Sequence, residues 1–174
     1  MQHVVLVDAA DQPIGTMEKM EAHQKGLLHR AFSIFIFDEH GRLLIQQRTR
    51  GKYHSGGLWT NSCCSHPLPG ESLTDAGKRR LEEEMGFTTA LTPLFSFLYH
   101  VELDGGLIEH ELDHVLIGHY DGTVHPNPEE VMDYRWADMT ELKADLEQHP
   151  ELYTSWFRII VNEHSLAFES AFMP

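Results

Sequence analysis

The sequence is poor in cysteine, in basic side chains and in long apolar runs. Its 174 residues include two cysteines, Cys63 and Cys64, whose adjacency does not suit them to joining distant segments. The pair argues against a secreted disulfide scaffold and favours a reducing compartment. No run of about eighteen apolar residues occurs, and the first residues lack the basic start and apolar core of a signal peptide. We therefore expect a cytoplasmic protein that does not enter a membrane.

Basic side chains are about half as frequent as acidic ones. Thirteen lysines and arginines are outnumbered by twenty-seven aspartates and glutamates, which gives a net charge of −14. This charge disfavours non-specific binding to nucleic acid or to anionic membranes, so an anionic ligand would need local cations. Thirteen histidines, which form no tag-like run, raise the chance of a metal site.

The pattern of apolar residues and turns predicts an α/β protein of the α+β type. The length suits one domain, residues 1–174, without internal repeats or linkers. Alternating or β-branched runs predict strands, whereas spacing by four predicts helices. The strands are predicted at 3–7, 29–37, 43–45, 94–103, 107–120 and 131–136, and the helices at 73–85, 139–147 and 156–168. We expect one mixed sheet between packed helices.

Histidines and carboxylates supply a candidate metal site. On a strand, Glu109 and Glu111 project from one face and His110 from the other. Two carboxylates so close repel each other unless a cation or a shared proton offsets their charge. The alternative is a solvated strand face. The candidate ligands are His23, His29, His66, Glu109 and Glu111. Three imidazoles and two carboxylates suit six-coordinate manganese, magnesium or zinc.

The predicted helix at 73–85 carries charged side chains at helical spacing. Arg80 and Glu84 are four residues apart and share a face. One interpretation is an ion pair worth about 0.3–0.5 kcal/mol. The other is a magnesium-binding carboxylate beside a guanidinium that binds phosphate, because magnesium takes few carboxylates and completes its shell with water and phosphate oxygens. The spacing leaves both interpretations open.

The segment NSCCSHP places Cys64 two residues before His66. A cysteine within reach of a substrate can act as a general acid or base, because its ordinary pKa is less than about two units above neutrality. A zinc ligand and an ordinary buried thiol are the alternatives. Adjacent cysteines lack the Cys-x-x-Cys spacing of a structural zinc site, so the sequence favours a catalytic thiol.

Four sequence motifs follow one another along the chain: LHRAF, WTNSCCSHP, GKRRLEEEMG and EHE. In their order and spacing, they together resemble the type I isopentenyl diphosphate isomerases of the Nudix superfamily, and the resemblance covers almost the whole chain. The general Nudix box is matched at Glu71, Arg79, Leu81, Glu83, Glu84 and Gly86. Ser65 stands where the box begins with glycine, and Arg80 replaces a glutamate. These departures are similar to the isomerase pattern, and the resemblance implies a single Nudix-fold domain with its core at about 29–163.

The resemblance implies that the chain interconverts isopentenyl and dimethylallyl diphosphate by adding and removing protons. It assigns Cys64 and Glu111 as the catalytic pair on opposite faces of the alkene, with Tyr99 assisting protonation and Cys63 as a bystander. Water has to be excluded from the positive charge that develops on carbon. Trp59, Tyr99 and Trp156 are candidates for an aromatic wall there.

The same resemblance implies two kinds of ion and a set of substrate contacts. The five candidate ligands match the family's protein-bound metal site, whereas Glu84 matches the carboxylate that holds magnesium against the diphosphate. The residues implied to bind substrate are Lys19, Arg48, Lys52 and Arg80 around the diphosphate and Trp156 over the hydrocarbon. Gly56 stands where many relatives have proline, which alters loop stiffness.

The expected partner is a small allylic or homoallylic diphosphate, with no nucleic acid and no membrane, and the expected state is a monomer or weak dimer. Two other functions are compatible with a Nudix fold. A Nudix hydrolase would release phosphate or pyrophosphate without needing Cys64. A non-enzymatic metal-binding or ligand-binding Nudix domain would tolerate loss of both Cys64 and Tyr99.

Overall fold

The computed structural model describes the backbone of residues 2–172 and the side chains of residues 2–168. The strands are β1 (His3–Val7), β2 (Pro13–Glu18), β3 (His29–Phe37), β4 (Leu43–Arg48), β5 (Trp59–Thr60), β6 (Cys63–Ser65), β7 (Thr92–Glu102), β8 (Ile108–His119) and β9 (Val131–Ala137). The helices are α1 (Lys19–Lys25), α2 (Leu73–Met85), α3 (Met139–Gln148) and α4 (Ser155–Phe172), with short 3-10 turns at Asp104–Gly106 and Pro150–Leu152. The predicted α+β class and mixed sheet are confirmed.

The sheet is organised around β3, which pairs in parallel with β8 over its whole length. Antiparallel partners of β3 are β1, β4 and β6, and β7 extends the sheet beyond β8. Strand β9 pairs antiparallel with β4. Because so many strands meet at β3, residues at its start lie beside segments that are far away in sequence.

Strand β3 is buried on both faces, and its alternating side chains contribute to two separate cores. Ile34 and Ile36 pack with α2 residues such as Leu81. Phe35 and Phe37 belong to the core formed with α3 and α4, in which Phe157 is fully buried. The HRAFSIFIF run therefore reads as continuously apolar because helices cover the sheet on either side.

The predicted helix at 73–85 has the bounds expected from its spacing of apolar residues. Ser72 caps its start by accepting from the Asp75 amide, and Gly86 ends it in the left-handed conformation. Helix α1 was not predicted from the sequence. Its capping is local: Glu18 accepts from the Glu21 amide, and Gly26 ends the helix. Within the described residues, no helix combines the length and apolarity needed to span a bilayer.

Gly86 provides a test of how α2 is fixed to the following loop. It has a φ of +75°, and an added Cβ would lie 2.4 Å from the His125 carbonyl oxygen. Gly86→Ala should lower the free energy of unfolding by at least about 2 kcal/mol, because left-handed strain and a backbone clash add together. Gly41→Ala is the matched control, since Gly41 has the same φ but open space around it. Equal losses for both variants in urea denaturation would contradict this account.

Candidate metal centre and active-site cavity

A cavity of about 370 Å³ is lined by residues of the neighbouring strands β3, β6 and β8. Its wall combines carboxylates and imidazoles, a thiol, aromatic rings and basic side chains. The described lining includes Lys19, Arg48, Lys52, His54, Cys64, His66, Arg80, Tyr99, Glu109, Glu111 and Trp156. Its acidic, thiol and basic groups thus share a single cavity.

Four of the five predicted metal ligands converge on one spot. Candidate ligand atoms of His23, His29, His66 and Glu111 lie within 4.8 Å of one another, and all four residues are buried. The parallel register explains part of this, because His29 on β3 is opposite Glu111 on β8. The Nε2 atoms of His29 and His66 are 3.0 and 2.8 Å from Glu111 Oε2. This is a ligand set for a divalent cation.

The hydrogen bonds of two imidazoles fit a bound cation. Nδ1 of His23 contacts the Lys19 carbonyl oxygen at 2.7 Å, and Nδ1 of His29 contacts the Leu27 carbonyl oxygen at 2.9 Å. Because a carbonyl only accepts, each Nδ1 carries the proton, and Nε2 of the neutral ring presents a lone pair. His29 Nε2 nevertheless lies against a carboxylate oxygen. A proton or a metal ion must therefore separate the two electron-rich atoms.

The pKa of His29 reflects the same attraction for positive charge. Burial alone would lower this pKa, but the hydrogen bond to Glu111 and the charge of that carboxylate outweigh it, so the pKa is raised. Burial has the dominant effect on His66, whose pKa falls to about 4 despite its contact with Glu111. Neutral His66 is thus available as a ligand at neutral pH.

The fifth predicted ligand, Glu109, lies in a second group with two histidines. Ligand atoms of His23, His54 and Glu109 also lie within 4.8 Å of one another. Glu109 Oε1 is 3.3 Å from Nε2 of His23 and 2.7 Å from Nε2 of His54. The two groups share His23 and form one continuous cluster, which we call the His/Glu cluster. Glu109 and Glu111 are buried, so the alternative of a solvated strand face is wrong.

Sequence reasoning missed His54. It lies in the loop between β4 and β5, without a periodic pattern and without a neighbouring ligand in sequence. The composition of the KYHSGG segment indicates a loop, but it does not indicate in which direction the His54 side chain projects. The one available signal was the large number of histidines, which does not single out this one.

Tyr99 links the two carboxylates of the His/Glu cluster. Its hydroxyl is 2.9 Å from Glu109 Oε2 and 2.6 Å from Glu111 Oε1, both of which can accept its one hydrogen bond. Burial, together with the charges of Glu109 and Glu111, raises the Tyr99 pKa well above its ordinary value. The phenol therefore keeps its proton beside the two carboxylates at neutral pH.

Cys64 and Cys63 are separated by the alternation of β6. Cys64, opposite Ser33 of β3, lines the cavity, whereas Cys63 is fully buried in the core beneath α2. Neither thiol forms a disulfide. Within residues 2–168, the groups able to hold a metal include no cysteine, which argues against a zinc-ligand role for Cys64.

The Cys64 thiol lies in a polar niche inside a buried site. Trp156 Nε1 donates to Cys64 Sγ at 2.9 Å, and Sγ donates to Asn61 Oδ1 at 3.1 Å. Burial, followed by the charge of Asp113, raises the Cys64 pKa to about 12, although Arg48 and these hydrogen bonds oppose the rise. The thiol is therefore protonated at neutral pH.

Of the three aromatic candidates, Tyr99 and Trp156 line the cavity. Trp156 is nearly fully buried and has the Arg48 guanidinium 5.3 Å from its ring centroid. Trp59 is absent from the cavity lining that the structure describes, and its ring is covered by Arg135 at 5.6 Å. The inclusion of Trp59 in the predicted aromatic wall was thus wrong. The sequence did not reveal towards which side of β5 its ring projects.

The four predicted substrate-binding cations lie together at the cavity. Lys19, Arg48, Lys52 and Arg80 all contribute to its wall. Burial, together with the neighbouring Arg80, lowers the Lys19 pKa. Nε of Arg48 and Nε of Arg80 are buried and have no hydrogen-bond partner among the described residues. Four cations in one part of the wall form a site for an anion.

Glu84 lies behind this group of cations. It accepts from Arg80 Nη2 at 2.6 Å and from Gln46 Nε2 at 3.1 Å. The helical ion pair considered from the spacing is therefore present. Glu84 is not among the described residues that line the cavity, where Glu130 contacts Lys52 instead. Magnesium binding by Glu84 stays a prediction.

Comparisons with known proteins identify the family of this chain. A family model described as "NUDIX domain" matches residues 27–157. The chain is 54% identical to "Isopentenyl-diphosphate Delta-isomerase 2" of Aromatoleum aromaticum over 88% of this chain and 81% of the relative. It is 50% identical to "Isopentenyl-diphosphate Delta-isomerase" of Burkholderia multivorans over 95% of this chain and 94% of the relative.

Solved structures are similar in fold at low sequence identity. The chain superposes on a crystal structure from Deinococcus radiodurans with a TM-score of 0.76, 19% identity and coverage of 92% of this chain and 97% of the other. The MutT protein from Methanosarcina mazei gives a TM-score of 0.66 at 18% identity, with coverage of 84% and 96%.

The His/Glu cluster predicts a metal-dependent stability. Adding manganese or zinc to metal-stripped protein at a hundred times Kd should raise the free energy of unfolding by about 2.7 kcal/mol, because the folded state alone holds the ligands together. His29→Ala should abolish most of this gain, whereas His40→Ala should keep it, since His40 is exposed. Thermal unfolding with and without metal measures the effect. An unchanged wild-type midpoint would contradict the prediction.

Proposed function

This chain belongs to the NUDIX-domain isopentenyl-diphosphate Delta-isomerases, and we propose that it moves the double bond of its substrate in the cavity beside the His/Glu cluster. The activity interconverts isopentenyl diphosphate and dimethylallyl diphosphate. The observation that carries the site assignment is the presence of Cys64, Tyr99 and Glu111 in one cavity.

The proposed division of labour places proton transfer between two groups. One group adds a proton to one end of the three-carbon unit, and the other removes a proton from the opposite end. Cys64 is one group, and Glu111 with Tyr99 is the other, since the Tyr99 hydroxyl is 2.6 Å from Glu111 Oε1. After turnover, exchange with solvent returns each group to its starting protonation state.

The resident cation is proposed to be divalent manganese, magnesium or zinc, held by His23, His29, His66, Glu109 and Glu111. Their buried lone pairs and carboxylates fit such an ion. When bound, it supplies positive charge that lowers the pKa of neighbouring groups and neutralises the carboxylates. The protein fixes the position of the ion through its ligands. Strand β8 presents both carboxylates, and the backbone carbonyls of Lys19 and Leu27 orient the imidazoles of His23 and His29.

The diphosphate is proposed to bind at Lys19, Arg48, Lys52 and Arg80, with a magnesium ion held by Glu84. The cations line the same cavity as the proton-transfer groups, so they fix the register of the hydrocarbon. Trp156 is proposed to contact the hydrocarbon end. Its ring supports developing positive charge, and its indole N–H orients the Cys64 sulfur.

The domain and its setting are proposed on separate grounds. One domain covers residues 1–174 with a Nudix core at about 29–163. Two free cysteines support a cytoplasmic location. The large exposed apolar side chains come from separate elements, which supports a monomer or weak dimer; examples are Ile14, Leu98 and Leu166.

Turnover in deuterated water tests the reaction. The enzyme should incorporate solvent deuterium into the product, because the proton added comes from an exchangeable group and the proton lost comes from another carbon. Mass spectrometry of the carbon skeleton and a phosphate-release assay are performed on the same samples. Phosphate release without double-bond movement would overturn the proposal and favour a Nudix hydrolase.

The adjacent cysteines test the site. Cys64→Ala should lower kcat by at least about 100-fold, because acid–base groups contribute about 10²–10⁴-fold. Cys63→Ala, the matched control, should keep most activity, since Cys63 lies in the core beneath α2. Circular dichroism and urea denaturation check that both variants fold. Equal losses in two folded variants would count against Cys64 as the catalytic thiol.

A further inference from the structure

His54 is a buried histidine of the His/Glu cluster that the five-ligand assignment does not use. It is 2% exposed, and its Nε2 atom is 2.7 Å from Glu109 Oε1. Despite this short distance, Nε2 makes no hydrogen bond among the described residues. The distance would permit a hydrogen bond, so it is the angle between the ring N–H direction and the oxygen that does not suit one. The ring and the carboxylate are thus at contact distance in an arrangement that is poor for a hydrogen bond.

His23 has the same relation to the same oxygen. Its Nε2 is buried, unbonded within the described chain and 3.3 Å from Glu109 Oε1. The other oxygen of Glu109 accepts from Tyr99. Because the contact with the Lys19 carbonyl places the proton of neutral His23 on Nδ1, its Nε2 has a lone pair and no proton to give Oε1, whereas a cation can bind both imidazoles and the carboxylate at once. Three ligand atoms around one point are the arrangement expected of a metal site.

The surroundings of His54 hold its ring in place. Its Nδ1 atom is 3.0 Å from Ser55 Oγ, and its carbonyl accepts from Arg48 Nη2 at 3.1 Å. The rings of Tyr53 and Trp156 contact it edge-on, with centroids 4.3 and 5.7 Å away. Ser55 adopts a φ of +54°, a strained conformation for serine. These contacts therefore fix the position of the His54 imidazole beside the cluster.

We propose that His54 is a ligand of the same ion as His23 and Glu109, so that the centre has four imidazoles rather than three. This inference rests on the proposed metal centre and extends it. Imidazole nitrogens favour zinc and other late transition metals, whereas magnesium and manganese favour oxygen ligands. The fourth imidazole therefore selects a zinc-like ion over magnesium at this position.

The test measures metal binding in the complete protein. A crystal structure of the zinc-loaded wild type should place Nε2 of His54 at about 2.0–2.1 Å from the ion, the usual zinc–nitrogen distance. Chelator competition then gives Kd for zinc and for manganese in wild type, His54→Ala, His54→Gln and the exposed control His40→Ala. Both His54 variants should still bind one zinc per chain, but at least about 10-fold more weakly. Their affinity for manganese should fall less.

The outcomes distinguish this inference from the proposed function. One ion bound by His23, His29 and His66 while His54 stays unbound overturns the inference and leaves the metal centre intact. Zinc affinity equal to that of His40→Ala in folded His54 variants overturns it too. Two ions bound simultaneously in the cluster would contradict the proposal that a single ion has all four imidazoles as ligands. A wild type that binds no ion would overturn the metal centre itself, whereas deuterium incorporation tests the isomerase reaction separately.

Discussion

The site depends on holding two carboxylates together inside the protein. Glu109 and Glu111 are both almost fully buried on one face of β8. Two like charges about 4 Å apart repel by about 4 kcal/mol at an effective dielectric constant of 20. Tyr99 offsets part of this cost by donating a hydrogen bond between them, and the histidines of the cluster surround their remaining oxygens. A bound divalent cation would offset more of it, so folding and metal binding would act on the same interaction.

Strand register gives this interaction its place. The parallel pairing sets His29 opposite Glu111, and β6 sets Cys64 opposite Ser33 on the other side of β3. A slip of one residue would turn His110 inward in place of the carboxylates, or Cys63 in place of Cys64. The cores on both faces of β3 oppose such a slip, because its apolar side chains already fit two different sets of helices. Packing far from the cavity therefore protects its chemistry.

The periodic parts of this structure were predictable from sequence, and the parts fixed by single loop contacts were not. Helix α2 and strand β3 follow from repeated apolar spacing, and the pairing of Glu109 with Glu111 follows from strand alternation. Convergence with His23, His29 and His66 came from family resemblance, since spacing carries no information about distant segments. His54 was missed because its direction is set by Arg48 and Ser55 across an aperiodic loop. Trp59 was wrongly assigned to the cavity wall because the direction of its side chain was likewise not predictable.

The strongly acidic composition is reconciled with an anionic substrate by the polarity of the cavity. Lys19, Arg48, Lys52 and Arg80 concentrate positive charge in one part of its wall, although the chain as a whole carries −14. The carboxylates of the cluster lie elsewhere in the wall, and a divalent ion there would cancel their charge. Burial keeps the thiol and the phenol neutral. In the proposed function, the diphosphate lies against these cations, whereas the hydrocarbon lies between the Cys64 thiol, the Glu111–Tyr99 pair and the Trp156 ring. Such an asymmetric wall would orient the proposed substrate before any proton moves.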